Sequence, residues 1–130
     1  MTQPDEKLAR RHRLTTGTDY AAVKANGRAY RGEHCLVVAL EMAGEPTRIG
    51  FVASKKGVGG AVQRNRARRR LREIVRRRWA RVPESGFLLM MVAFRSAIRV
   101  PHQDLATDVE RVLAAAQVLS PIPESAADAT

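Results

Sequence analysis

Between residues 61 and 81 the chain carries ten arginines, at positions 64, 66, 68, 69, 70, 72, 76, 77, 78 and 81, against one acid, Glu73. Apolar positions in and just after the stretch, Ala67, Leu71, Ile74, Val75 and Val82, recur at helical spacing, so the arginines stand on a helix. Arg64, Arg68, Arg72 and Arg76 are four apart and form one ridge on it. A solvated helix face mixes Glu with Lys and gains i,i+4 pairs, whereas this ridge repels itself. Arginine presents a planar fork that fits phosphate oxygens and stacks on bases. The spacing therefore predicts a helix that binds nucleic acid.

A loop with three glycines, Lys55-Lys56-Gly57-Val58-Gly59-Gly60, precedes the helix. Glycine lets the backbone approach a ligand closely, and amides at a helix start favour an anion. The loop is no P-loop, because it lacks the Gly-Lys-Ser/Thr ending. Catalytic groups are sparse. His12, His34 and His102 are scattered and read as surface or loop residues. A two-histidine ribonuclease mechanism would require two of them to converge with a lysine, a matter for the fold. The carboxylates make no obvious metal cluster. No catalytic residue and no metal ligand is assigned.

Charge supports the same reading. The 130 residues hold 23 Lys+Arg and 13 Asp+Glu, a net of +10. Residues 1–100 carry 22 basic and 8 acidic side chains (net +14), and residues 101–130 one basic and five acidic (net −4). The positive field belongs to the body of the fold and calls for an anionic partner. With 45% apolar residues the chain is no disordered polyelectrolyte. The single cysteine, Cys35, lies in an apolar run, reads as a buried structural thiol and excludes an intramolecular disulfide. The start has no signal-peptide core, and no run approaches the ~20 apolar residues that span a bilayer, so a soluble, cytoplasmic protein without a membrane partner is expected.

Several elements must position the ridge. Residues 1–7 are polar and expected to fray, residues 8–119 form one domain, and residues 120–130 read as a disordered tail. A short helix fits residues 18–26, with Thr18 as N-cap and Gly27 as stop. Residues 28–32 suggest a short strand. Residues 35–40 and 48–54 read as strands joined by a turn at 41–47 into a hairpin. Residues 87–94 are apolar throughout, as a central strand covered on both faces would be. A last helix is predicted over 102–119, and Trp79 is expected to pack. The order α-β-β-β-α-β-α indicates an α/β (α+β) sandwich: a mixed sheet of about four strands with helices packed on it.

The string Ala61-Val62-Gln63-Arg64-Asn65-Arg66-Ala67-Arg68-Arg69-Arg70-Leu71-Arg72-Glu73 resembles the Arg-Asn-Arg motif of the bacterial ribonuclease P protein family, A-V-x-R-N-R-x-K/R-R-x-x-R-E. Val52-Ala53-Ser54-Lys55-Lys56 is similar to the family's V-S-K-K strand end. Arg13-Leu14 with Asp19-Tyr20 and Val23 is similar to its opening R-L-x(4)-D-F-x-x-V segment. The likeness spans about residues 11–115.

The resemblance implies a left-handed crossover around the Arg-Asn-Arg helix, where topology alone favours the right-handed form in about 98% of cases. It implies assembly with a large catalytic RNA that removes the 5′ leader of precursor tRNA, with the chemistry left to the RNA and its Mg²⁺. RNA contacts would fall to Lys55, Lys56, Arg64, Asn65, Arg66, Arg68, Arg69, Arg72 and Arg76. A leader cleft between the sheet and the first helix would use Arg13, Tyr20, Lys24 and Phe51. No small-molecule substrate is implied. The chain departs from the family where a second helix aromatic becomes Lys24, where a strand aromatic becomes Val38, and in a loop one glycine longer. The competing readings are a ribosomal or other structural RNA-binding protein, and a DNA-binding regulator; the latter wants a companion helix where this chain has a strand and loop.

Overall fold

The computed structural model describes residues 8–120. Seven elements follow in order: α1 (Gly17–Asn26), β1 (Arg28–Arg31), β2 (Cys35–Pro46), β3 (Arg48–Val52), α2 (Ala61–Arg76), β4 (Ser85–Ala93) and α3 (His102–Ala115). Single 3-10 turns stand at Arg10–His12, Trp79–Arg81 and Arg95–Ile98. The strands form one mixed sheet in the order β1-β2-β4-β3, antiparallel except for the parallel β3–β4 pair.

The apolar run of β4 explains this order. Its odd residues, Leu89, Met91 and Ala93, join the core under α2 and α3, while Leu88 and Met90 pack with Val23 of α1. A strand buried on both faces belongs at the centre of a sheet. β4 therefore lies between β2 and β3, and the hairpin expected from residues 35–54 does not form. The β3-α2-β4 segment is instead a crossover that joins two parallel neighbours, Ile49 opposite Leu89 and Phe51 opposite Met91.

Other boundaries also move. The expected turn at 41–47 is largely strand, because β2 runs on to Pro46, which pairs with Ser85 past an irregularity after Met42. β1 reaches only residues 36–39 of β2, so the outer side of this end is an edge that tolerates proline. Helix α2 stops at Arg76, not residue 81: the Arg78 amide bonds the Val75 carbonyl at 2.9 Å, tightening the last turn. Val82 is buried as its spacing implied, but a 3-10 turn delivers it. Helix α3 ends at Ala115, short of 119, where Gln117 takes φ 62° and the Val118 and Leu119 amides bond the Leu113 carbonyl. The N-cap of α1 is Thr16, whose Oγ1 accepts from the Asp19 amide at 3.1 Å, rather than Thr18.

The main core lies between the sheet and α2 with α3, and includes Val37, Leu71, Ile74, Leu105 and Leu113. A smaller one lies under α1. Cys35 is buried, and its thiol donates to Asp108 at 3.5 Å. The Asp108 carboxylate also accepts the Glu33 and His34 amides, at 2.9 and 2.8 Å, and so fixes the β1–β2 turn. Residues 1–7 and 121–130, expected to fray or form a tail, lie outside the described residues; Ser120, counted with that tail, bonds the Arg81 carbonyl through both its amide and hydroxyl at 3.0 Å.

Candidate nucleic-acid interface

The arginines of the α2 region divide into three sets. Those at the C-terminal end are neutralised by the chain itself. Glu73 accepts Arg76 Nη2 at 2.7 Å and Arg77 Nε at 2.8 Å, while Glu110 accepts Arg78 Nε at 2.6 Å and lies 3.6 Å from Arg81. The hydrogen bonds from Arg76 and then Arg77 hold the Glu73 carboxyl down at about 2. A second set, Arg66 and Arg70, donates to backbone carbonyls of the segment after β4. The third set comprises Arg64, Arg68, Arg69 and Arg72, and none of the four has an acidic partner among the described residues. Arg68 Nη2 donates to Asn65 Oδ1 at 2.5 Å, and Arg64 Nε is buried without a hydrogen-bond partner.

Most of this third set faces a cavity of about 690 Å³ at the edge of β3. Arg68, Arg69 and Arg72 line it together with Arg76 from α2, Arg13 and Leu14 from the segment before α1, Tyr20 from α1, and Gly50 and Phe51 from β3. The N-terminal segment reaches the edge because the Leu14 amide bonds the Ile49 carbonyl at 3.0 Å, with Arg13 bridged parallel to Ile49. Tyr20 packs with the α1-side core and Phe51 with the α2-side core, so two rings from opposite faces of the sheet meet one space. The Arg72 guanidinium lies 5.6 Å from the Phe51 ring centroid. Burial raises the Tyr20 hydroxyl, against the opposing pull of Arg68 and Arg72. Burial lowers Arg72, and the crowding charges of Arg68, Arg13 and Arg69 add to it. The cavity is a cationic notch with aromatic walls.

Such a notch suits a phosphate flanked by a stacked base. It does not suit a protein-held Mg²⁺, because the lining carboxylate, Glu73, has both oxygens bonded to guanidinium groups. Among the described residues no group of three or more His, Cys, Asp or Glu could hold a metal ion.

A family comparison identifies the fold's relatives: the family described as Ribonuclease P matches residues 8–117. The chain belongs to the ribonuclease P protein family. The ribonuclease P protein component of Symbiobacterium thermophilum is 38% identical over 113 residues, covering 86% of this chain and 96% of that protein. The component from Dehalococcoides mccartyi strain 195 is 38% identical over 109 residues, with 84% and 88% covered. Among solved structures, the Thermotoga maritima RNase P protein superposes with a TM-score of 0.69 at 25% identity, over 79% of this chain and 96% of that one. The Staphylococcus aureus RNase P protein gives 0.73 at 22%, a likeness of fold.

Within this ribonuclease P family chain the expected site residues separate. Arg13, Tyr20, Phe51, Arg68, Arg69, Arg72 and Arg76 line the one cavity. Lys24, one turn beyond Tyr20 on α1, is exposed and is not part of that lining. Lys55 and Lys56 are exposed in the loop before α2, Asn65 is exposed on the helix, and Arg66 is tied through Nε to the Ile98 carbonyl at 2.9 Å. His12, read as a surface residue, is buried: its Nδ1 bonds the Thr47 carbonyl at 2.6 Å and its ring meets Trp79 edge-on at 5.2 Å, which also confirms Trp79 as packing.

Sequence reasoning missed one pair. On the α1 side of the sheet a row runs from Arg31 through Leu36 and Val92 to Val52, the last three half-buried. At its end the Arg31 guanidinium stacks over Phe94 at 4.4 Å. Phe94 continues the even parity of Met90 and Val92, the only sequence signal for its facing; its pairing with Arg31 depends on the β1–β2 register and has no local signature.

Proposed function

We propose that this chain is the protein subunit of a bacterial ribonuclease P, acting in the cytoplasm with the catalytic RNA and precursor tRNA. In this reading Arg64, Arg68, Arg69 and Arg72, with Asn65, Arg66 and the lysines of the preceding loop, grip the backbone of the catalytic RNA. Tyr20, Phe51, Arg13 and the Arg31–Phe94 pair receive the single-stranded 5′ leader, which offers unstacked bases to aromatic and guanidinium planes. Mg²⁺ enters with the RNA, whose phosphates supply the oxygen ligands that this notch does not free.

The observation that carries the reading is the division of the arginines. The chain neutralises those at the C-terminal end with its own acids, ties Arg66 and Arg70 to backbone carbonyls, and leaves four others on α2 with neither among the described residues, three of them around an aromatic notch. Those charges await an external anion. A test is to purify the protein from its host and sequence the RNA that accompanies it. Ribonuclease P RNA is expected; ribosomal RNA would favour a structural ribosomal role instead. Reconstitution with ribonuclease P RNA should give 5′ processing of precursor tRNA, and the protein alone, after nuclease treatment, should give none.

A further inference from the structure

Arg66 and Arg70 serve as staples. Arg66 Nε donates to the Ile98 carbonyl at 2.9 Å, and Arg70 donates to the carbonyls of Ala97 at 2.8 Å and Val100 at 2.6 Å. These three bonds bind the Arg95–Ile98 turn to α2 across 27 to 32 residues of chain. Ala97 and Ile98 are buried beneath it, so the turn is fixed on both sides.

Arg95 and Arg99 bracket that turn. Both are exposed, and neither has an acidic partner among the described residues. They line a second cavity, of about 600 Å³, whose other wall is formed by Gly59, Gly60 and Gln63. Its lining shares no residue with the notch at the β3 edge. Next to Gln63, Val62 is 78% exposed, the single large apolar side chain so open among the described residues. Other arginines are matched by acids of α3: Arg78 and Arg81 with Glu110, and Arg111 with Asp108. Here two cations four residues apart are held on a rigid turn with no counter-charge, an arrangement that an external anion stabilises.

The surroundings favour a sugar–phosphate backbone as that anion. The Arg fork matches phosphate oxygens, two glycines leave no side chain to keep a polymer away, and Val62 offers an apolar patch to a ribose or base. We infer that the Arg95–Arg99 turn is a second RNA-binding element, continuing the footprint of the catalytic RNA from the start of α2 onto the β4–α3 connection. This rests on the proposed role of α2 in binding that RNA. The staples explain its form: Arg66, through Nε alone, and Arg70 set two other arginines in place.

The test uses the full chain with Arg95→Gln and Arg99→Gln together, titrated with ribonuclease P RNA over a salt series. Each lost charge-assisted contact should weaken binding roughly tenfold or more. The slope of log affinity against log salt should fall by about 2 for two phosphate contacts. At saturating protein, the reconstituted enzyme should keep its preference for precursor over mature tRNA. Unchanged RNA affinity and slope, alongside weakened binding by Arg64→Gln with Arg68→Gln, would overturn the second element and leave the role of α2 standing. No weakening by either pair would overturn both. Lost precursor preference with intact RNA binding would also overturn it, since the turn would then serve the substrate. Should the glutamine variant melt lower, Arg95→Lys with Arg99→Lys must restore both the melting temperature and the salt slope; restored stability without the slope counts against the inference.

Discussion

Gly50 and Tyr20 are fitted to each other: a Cβ built on Gly50 would lie far inside van der Waals contact distance of the Tyr20 hydroxyl oxygen. The bare β3 backbone is what lets the α1 ring lie down on the sheet edge and form one wall of the notch. Gly50→Ala should therefore expel the ring. We expect a loss of about 1–3 kcal/mol from overpacking and reduced preference for precursor over mature tRNA. Thermal melts and tRNA affinities of the reconstituted enzyme check this; unchanged values in both would show that the ring does not depend on the gap.

The two sides of α2 should respond in opposite ways. Leu71 is fully buried, and Leu71→Ala should cost about 2–5 kcal/mol of stability. Arg64→Ala with Arg68→Ala should leave the melting temperature nearly unchanged and weaken binding of ribonuclease P RNA. An unfolded double arginine variant beside a stable Leu71→Ala would contradict the division of the helix described above.

Much of this division was legible in the sequence, and the limits are physical. Spacing located the buried Ala67, Leu71, Ile74 and Val75 and the unbroken apolar run of β4, because burial leaves a periodic trace. That β4 is central showed in this run, but which strands flank it left no local trace, since strand order is decided by pairings many residues apart. The uses of the arginines were equally hidden. Arg66 and Arg68 are alike in type and lie two apart, yet one bonds the Ile98 carbonyl and the other lines the notch. Only the packing of the Arg95–Ile98 turn separates them. The buried His12 escaped notice because its polar neighbours, Arg11 and Arg13, are both exposed and mask a residue that turns inward.

Arg70 should behave as a structural residue. Its two bonds satisfy the Ala97 and Val100 carbonyls, and burial followed by the charge of Arg66 lowers its pKa. Arg70→Ala leaves those acceptors without their partner, at a cost of about 1–3 kcal/mol. Urea denaturation should report that loss, with Arg69→Ala, exposed and without an acidic partner, as a control near zero. Equal stability of the two variants would remove the stapling role.

Acid should loosen the end of α2. The Glu73 carboxyl sits at about 2 instead of the ordinary 4.5, through its bonds to Arg76 and Arg77. A depressed folded pKa contributes stability that is full above the ordinary value and is lost as pH falls toward about 2. The gap in melting temperature between the parent chain and Glu73→Gln should thus narrow between about pH 5 and pH 2. Because the pair is partly exposed, the gap should be small. A gap independent of pH would show that the carboxylate charge is not what the arginines use.

Tyr20 and Lys24 lie one turn apart on α1 and should divide their tasks. Tyr20 is half-buried at the notch wall, while Lys24 is exposed. A ring can stack on a leader base, worth about 1–3 kcal/mol, and an ammonium can reach only a phosphate. Tyr20→Ala should weaken binding of precursor tRNA by the reconstituted enzyme and leave mature tRNA nearly unaffected, at every salt concentration. Lys24→Ala should also act on the precursor, but its effect should fade as salt rises, because a phosphate contact works by releasing counterions. Tyr20 also packs on the α1-side core, so the melting temperature of each variant must accompany the affinities. A Tyr20→Ala protein that loses stability while keeping its preference for precursor would assign the ring to packing alone. The leader would then have to stack elsewhere, with the Arg31–Phe94 pair the next position to test.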